Sequence, residues 1–229
     1  MVKNLKITAK MLTGQVATVD GYLAIDGVLA KVWIEKNYPE LIGQPFDFNN
    51  IIEADLPIER RGEGDDWYYA ASFACFKPLK ETRRFWHKKF DEKLATQYID
   101  FQGKRGVVEI KSGRYKNYRM PLNIILVPEI NWYVRGDKKE IERLLQKVKY
   151  IGKKASQGLG AVKEWIVEEI DEDLSWLRPI PDPNGDDYSA IRPPYWYIGN
   201  YRRVRWPDDA RLGTRNLYFA FSYRGISQA

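Results

Sequence analysis

Between residues 152 and 160 the chain reads Gly152, Lys153, Lys154, Ala155, Ser156, Gln157, Gly158, Leu159 and Gly160, a run whose residue types suit capture of a phosphate-bearing backbone. Glycine permits unusual φ/ψ and close main-chain approach, lysine supplies charge, and Ser156 and Gln157 supply hydrogen-bond donors. The run follows an amphipathic segment of helical spacing and precedes a strand-like one. Nucleotide-binding loops run strand, loop, helix, so that phosphate meets a helix N-terminus; the reversed order here argues against that manner of binding. A bound nucleic-acid backbone suits the chemistry that remains. The competing reading is a helix cap with Gly152 in the left-handed position followed by a tight turn, which uses one of the three glycines.

Three further clusters interleave cations with aromatics. In KETRRFWHKKFDEK, Arg83, Arg84, His87, Lys88 and Lys89 alternate with Phe85, Trp86 and Phe90. Cations meet phosphates while aromatic faces stack on unpaired bases, at about 1–3 kcal/mol per stack. A helix turning Phe85, Trp86 and Phe90 into the core accounts for the same residues. In GRYKNYRMP, Arg114, Lys116 and Arg119 interleave with Tyr115 and Tyr118 as in a loop or hairpin tip, and in YWYIGNYRRVRWP, Arg202, Arg203 and Arg205 stand beside Trp196, Tyr197, Tyr201 and Trp206. A protein interface is an equal reading of the last cluster, since Trp, Tyr and Arg also dominate binding hot spots.

Charge follows these clusters. The net charge is +6, but residues 77–119 carry 13 basic against 5 acidic side chains and residues 192–229 carry 7 against 2, whereas 1–76 carry 7 against 11 and 120–191 carry 10 against 13. Like charges gathered in this way repel unless a polyanion neutralises them; a solvated lysine-rich surface is the plainer alternative. The single cysteine, Cys75, excludes an internal disulfide and a cysteine zinc site, and with one histidine no metal or cofactor is expected. No apolar run approaches the roughly 20 residues of a membrane span, and the start, MVKNLKITAK, enters a strand-like alternation rather than a signal-peptide core, so a soluble, cytoplasmic protein is expected.

The elements that must position the clusters follow from periodicity. Residues 4–12 alternate as a half-buried strand; Leu23, Ile25, Val28, Leu29, Val32, Trp33 and Ile34 have helical spacing, with Asp20 placed as a cap. Residues 51–59 and 67–76 read as two strands flanking an acidic loop, and 77–106 as an insertion or partly helical excursion. PLNIILVPEI and INWYVRG read as strands; DKKEIERLLQKVKYIG reads as a helix with Ile141, Leu144, Leu145 and Val148 on one face and Asp137 at its start; AVKEWIVEEI reads as a strand. The order β-α-β-β, interruption, β-α-β predicts an α+β, ferredoxin-like or RRM-like sandwich over 1–170, with a basic insertion at about 77–119. A proline- and acid-rich connector then leads to an aromatic and arginine-rich C-terminal extension, 171–229, packed on the main body.

A helix, then G-K-K-x-S-x-G-x-G, then a strand, late in such an order, resembles the glycine-rich loop of the RAMP superfamily of CRISPR proteins. With LKITAKMLTGQV and DGYLAIDGVLA near the N-terminus, the chain looks most like the Csf-type subunit of type IV CRISPR effector complexes, which is similar to the RAMP protein that caps the guide's 5′ handle in type I complexes. The resemblance implies an RRM-like fold, the repeat-derived 5′ handle of crRNA as ligand, and the CRISPR backbone subunit and large subunit as partners, with target DNA as a further one. It places Gly152, Lys153, Lys154, Ser156, Gln157, Gly158 and Gly160 at the RNA, and likens Lys77–Arg119 to the thumb-like excursion of such subunits.

The leading expectation is a non-catalytic crRNA-binding subunit of a ribonucleoprotein in antiviral defence. Some RAMP relatives cleave guide precursors, and general acid–base cleavage of RNA needs a proton acceptor that works near neutral pH; the alternative is therefore an endoribonuclease using His87. A protein scaffold whose basic face meets acidic partners is the third reading.

Overall fold

The computed structural model describes residues 1–18, 23–44, 51–98 and 108–207. In chain order its regular elements are β1 (Val2–Met11), β2 (Gln15–Thr18), α1 (Ile25–Asn37), β3 (Arg60–Arg61), β4 (Tyr68–Tyr69), β5 (Lys80–Lys88), α2 (Glu92–Tyr98), β6 (Tyr118–Leu126), β7 (Glu129–Asp137), α3 (Lys138–Leu145), β8 (Val162–Glu169), β9 (Ile180–Pro181), β10 (Asp187–Ala190) and β11 (Tyr201–Arg205).

The central sheet is antiparallel, in the order β7-β1-β8. Leu5, Ile7 and Ala9 alternate along β1 and face Val134, Trp132 and Ile130 across β7, so one face of the sheet is apolar. α1 supplies Leu29 and Val32, and α3 supplies Ile141, Leu144 and Leu145, to the same buried cluster. Trp132 is fully buried and its indole N–H donates to the Leu23 carbonyl at 2.8 Å, so no polar atom of the ring is left bare. Asp137 caps α3, its carboxylate accepting from the Glu140 N–H at 3.2 Å. The other expected cap, Asp20, lies outside the described residues; α1 starts at Ile25, two residues later than the spacing predicts, with Ala24 before it making no side-chain cap.

Two expected strands are not continuous. Residues 51–59 run without a ladder until Ile58 meets Gly136, and within 67–76 only Tyr68–Tyr69 is regular, paired with β3. Ala71 and Cys75 then touch Val134 and Asn131 singly, so this segment forms a broken edge along β7. Ser72 and its neighbours are the physical reason: the Ser72 hydroxyl takes the Tyr133 N–H (2.8 Å) in place of a ladder carbonyl, and the Phe73 and Ala74 N–H groups turn to the carbonyls of Leu177 and Leu23, while Arg178 takes the outward carbonyls of Tyr69 (2.7 Å) and Ala71 (3.0 Å).

The excursion forms a second antiparallel sheet, β2-β6-β5, in which β5 and β6 pair over nine residues from Lys80↔Leu126 to Lys88↔Tyr118. The helical reading of residues 83–90 is thereby overturned: Arg83–Lys88 are strand, because β6, with its β-branched pair Ile124–Ile125, provides a partner for them. β6 passes into β7 with only Val127 and Pro128 between.

The extension forms a third sheet, β10-β11-β9. It is fastened to the core by Arg178, which is fully buried and donates to Asp26 (3.2 Å), to the Ile191 carbonyl and to the Tyr195 hydroxyl (3.2 Å), while Tyr195 donates to Asp26 at 2.8 Å. Burial pushes the Asp26 carboxyl up in spite of Arg178, Tyr195 and the Gly27 N–H. Burial also pushes the Tyr195 hydroxyl well above its ordinary value, so the proton it donates is retained.

Candidate nucleic-acid interface

The glycine loop is closed and pinned at its base. Ile151 N–H donates to the Gly160 carbonyl (2.9 Å), and both limbs hang on β2 through Lys153 N–H to Ala17 (2.8 Å) and Gly160 N–H to Gln15 (2.7 Å). At Gly160, φ is +72° and a Cβ would sit 1.8 Å from the Ile151 carbonyl oxygen; at Gly152, φ is +78° and a Cβ would sit 2.5 Å from that of Ala17. Only glycine permits those approaches. Gly152 is therefore a loop-base residue and not the cap of α3, which ends at Leu145. Leu159 is buried against Ala17 and Ile124 and holds the loop down from within. What remains at the crown is Lys153, Ser156, Gln157 and Gly158, all exposed, around a single 3-10 turn at Ala155–Gln157. Lys154 enters that turn with φ 64°, the one non-glycine residue in the left-handed region among the described residues.

The arm made by β5 and β6 has two faces, because side chains alternate along a strand and cross-strand partners share a side. One face carries Arg84, Trp86 and Lys88 opposite Leu122, Met120 and Tyr118. The Lys154 ammonium lies 3.3 Å from the centroid of the Trp86 ring on this side. Trp86 packs on Tyr118 at 5.0 Å between centroids, and the Lys88 ammonium donates to the Arg114 carbonyl. The other face carries Arg83, Phe85 and His87 opposite Asn123, Pro121 and Arg119, with the Arg119 guanidinium 3.8 Å from the Phe85 centroid. At the far end of the arm Tyr115 packs on Phe90 at 4.7 Å, and Lys89, Arg114 and Lys116 are exposed.

The structure thus joins the loop and the first two sequence clusters, with His87 turned to the face away from Lys154. All thirteen ion pairs formed among the described residues lie elsewhere. The cations of the arm and loop are therefore uncompensated by carboxylates among those residues, and their mutual repulsion favours an incoming polyanion. The tail arginines stand differently. Arg202 donates to the Asp66 carboxylate (2.7 Å) and to the carbonyls of Asp65, Gly199 and Tyr201; Arg205 pairs with Asp182 (2.6 Å); Arg203 donates to the Gly185 carbonyl (3.3 Å). Arg202 thereby holds the third sheet to the acidic turn at 63–66, while Arg203 and Arg205 tie the sheet to its own 182–185 segment.

Sequence reasoning missed Arg178, Asp26 and Tyr195, which sit in a proline-rich connector, a helix and a tail without any local motif. No group of three His, Cys, Asp or Glu side chains that could hold a metal ion occurs among the described residues, and no helix among them is long and apolar enough to cross a membrane.

No curated protein matches the chain. A family model described as CRISPR type IV associated protein Csf3 matches residues 3–207, a span that takes in the central sheet, the basic arm, the glycine loop and the third sheet, and the chain belongs to that family.

Proposed function

We propose that this chain is a non-catalytic subunit of a type IV CRISPR ribonucleoprotein that binds the repeat-derived 5′ handle of crRNA. The observation that carries the reading is the contact of Lys154 with Trp86, which joins the glycine loop and the basic arm into one cationic, aromatic surface. Such a surface has the two parts that single-stranded nucleic acid needs: charge for phosphates and π-faces for bases.

The fold we propose for residues 1–170 is ferredoxin-like, of the RAMP kind, with 171–229 as an extension. In support, the broken edge at 71–75, β7, β1 and β8 lie side by side in that order, all antiparallel, with α1 and α3 on one face. Backbone and large subunits are the proposed partners, target DNA a further one, and a prokaryotic cytoplasm the proposed setting. His87 is given an RNA-contacting role, its neighbours on its own face being Phe85, Arg83 and Arg119.

The test is binding of the purified chain to labelled repeat RNA as a function of salt, with strand integrity followed in parallel. Intact RNA should bind in a salt-sensitive manner, and Lys153→Ala with Lys154→Ala should lower the slope of log affinity against log salt by roughly 0.7 per lost phosphate contact. Trp86→Ala should cost about 1–3 kcal/mol. Cleavage that stops on His87→Ala would replace this reading with an endoribonuclease, and no binding at any salt would leave the protein scaffold.

A further inference from the structure

A cleft of ≈ 610 Å³ opens beside the glycine loop, between α1, the segment joining α3 to the loop, and the third sheet. Its volume falls within the range of about 300–1,000 Å³ that small-molecule sites occupy. Phe73, Tyr195 and Trp206 are among its aromatic walls. They are held before any ligand arrives: Phe73 meets Tyr195 edge-on at 5.7 Å and Trp206 at 6.3 Å, Tyr195 is bonded to the buried Asp26, and the Trp206 indole donates to Asp187 at 2.6 Å. A preformed planar wall costs little entropy to bind against.

Two observations say what chemistry would enter. The cleft and the loop are continuous, since Gly152 and Ala155 line both. The mouth is cationic: Lys147 and Lys149 are exposed there and form no ion pair among the described residues, whereas the acidic groups of the lining are occupied, Glu35 by Lys31 at 3.7 Å and Asp187 by Trp206. An apolar aromatic slot with a basic rim, one step from a loop suited to a phosphodiester backbone, fits a flat heteroaromatic group attached to phosphate.

We propose that this cleft receives one unstacked nucleobase of the RNA strand whose backbone lies along the glycine loop, with Lys147 and Lys149 meeting the phosphates on either side of it. The proposal rests on the RNA-binding reading and adds a position at which one base is singled out. The buried Asp26–Arg178–Tyr195 group acquires a role in it as a positioning device that fixes the Tyr195 wall.

The experiment is a scan with the full chain and a set of labelled single-stranded repeat RNAs, each lacking the base, but not the ribose phosphate, at one position. Base removal should weaken binding roughly 5- to 150-fold at one position and little at its neighbours, the range that one stack represents. Ser189→Trp on β10 and Val28→Trp on α1 fill the cleft from different walls, and each should abolish that position-specific penalty while the chain keeps its melting temperature. Lys153→Ala with Lys154→Ala should instead weaken all the RNAs alike. Equal penalties at every position, or one that survives both fillings, would overturn the base site and leave the loop-and-arm reading standing; no binding of any RNA by the unsubstituted chain would remove both.

Discussion

Arg178 gathers five acceptors from four parts of the chain: the Asp26 carboxylate of α1, the carbonyls of Tyr69 and Ala71 at the sheet edge, that of Ile191, and the hydroxyl of Tyr195. Its Nε is buried without a partner. Removing one member of a buried pair leaves the other charge uncompensated, which costs about 3–5 kcal/mol. Arg178→Met should therefore lower the free energy of unfolding by that amount in urea titration, and adding Asp26→Asn should recover part of the loss, because it removes the stranded carboxylate. Tyr195→Phe removes the hydrogen bond donated to Asp26 and the one accepted from Arg178, and should cost about 2–3 kcal/mol. None of these side chains carries a sequence signal, since an arginine before a proline and an aspartate in a first helical turn are ordinary on a surface; the partnership of Arg178 with Asp26 spans 152 positions and exists only once the chain has folded.

The elements differ in how far they could be read from the sequence. The alternation of Leu5, Ile7 and Ala9 and the face of Ile141, Leu144 and Leu145 were legible because each has one buried side. The arm was not, because β5 is exposed on both faces over most of its length and burial imposes no period on it. β2 was missed because four residues are too few for a pattern, and the strand expected over 67–76 was misread because Phe73 and Ala74 bond to Leu177 and Leu23, distant in sequence, instead of to β7. The glycine loop was recognised as a unit, but its attachment to β2 and its meeting with Trp86 were not, as both depend on pairing across the second sheet. Within the loop the glycines should respond unequally. Gly158→Ala meets open space at φ +77° and should cost about 1–2 kcal/mol for the left-handed backbone alone, whereas Gly160→Ala meets the Ile151 carbonyl and should unfasten the loop base, a larger loss in the same urea titration. A second fastening answers to pH. Arg61 links Glu59 (3.0 Å) to Asp173 (2.5 Å), and Arg135 also meets Glu59 (2.5 Å). Burial works to raise both carboxyls, but the arginines, with Ser175 at Asp173, outweigh it and hold them below their usual 4.5 and 3.8. A lowered value means stability that is present above the usual carboxyl range and lost as pH falls through the folded one. The groups are partly exposed, so each contributes no more than about 1 kcal/mol. The melting temperature of the chain should fall more steeply below about pH 4 than that of Arg61→Met.

Across the molecule, carboxylates and cations are sorted: ion pairs knit the central sheet and extension, and the cations of β5, β6 and the loop form no ion pair among the described residues. RNA held there should stabilise the whole chain by mass action, by about 2.7 kcal/mol at a hundredfold excess over Kd, and thermal melting should register the shift in the parent chain and lose most of it in Lys153→Ala with Lys154→Ala. The junction of arm and core has its own consequence. β6 and β7 are one path through Val127 and Pro128, and that short join is clamped by Val127 N–H to the Gly14 carbonyl (2.7 Å), Met11 N–H to that of Pro128 (2.9 Å) and Leu79 N–H to that of Leu126 (2.8 Å). A rod rooted in this way divides into two clocks. In deuterated solvent the amides of β5 and the outer half of β6, open on both faces, should exchange early, and those of β7 beyond the clamp should outlast them by orders of magnitude, with the change of pace falling at Val127 rather than fading gradually along the strand.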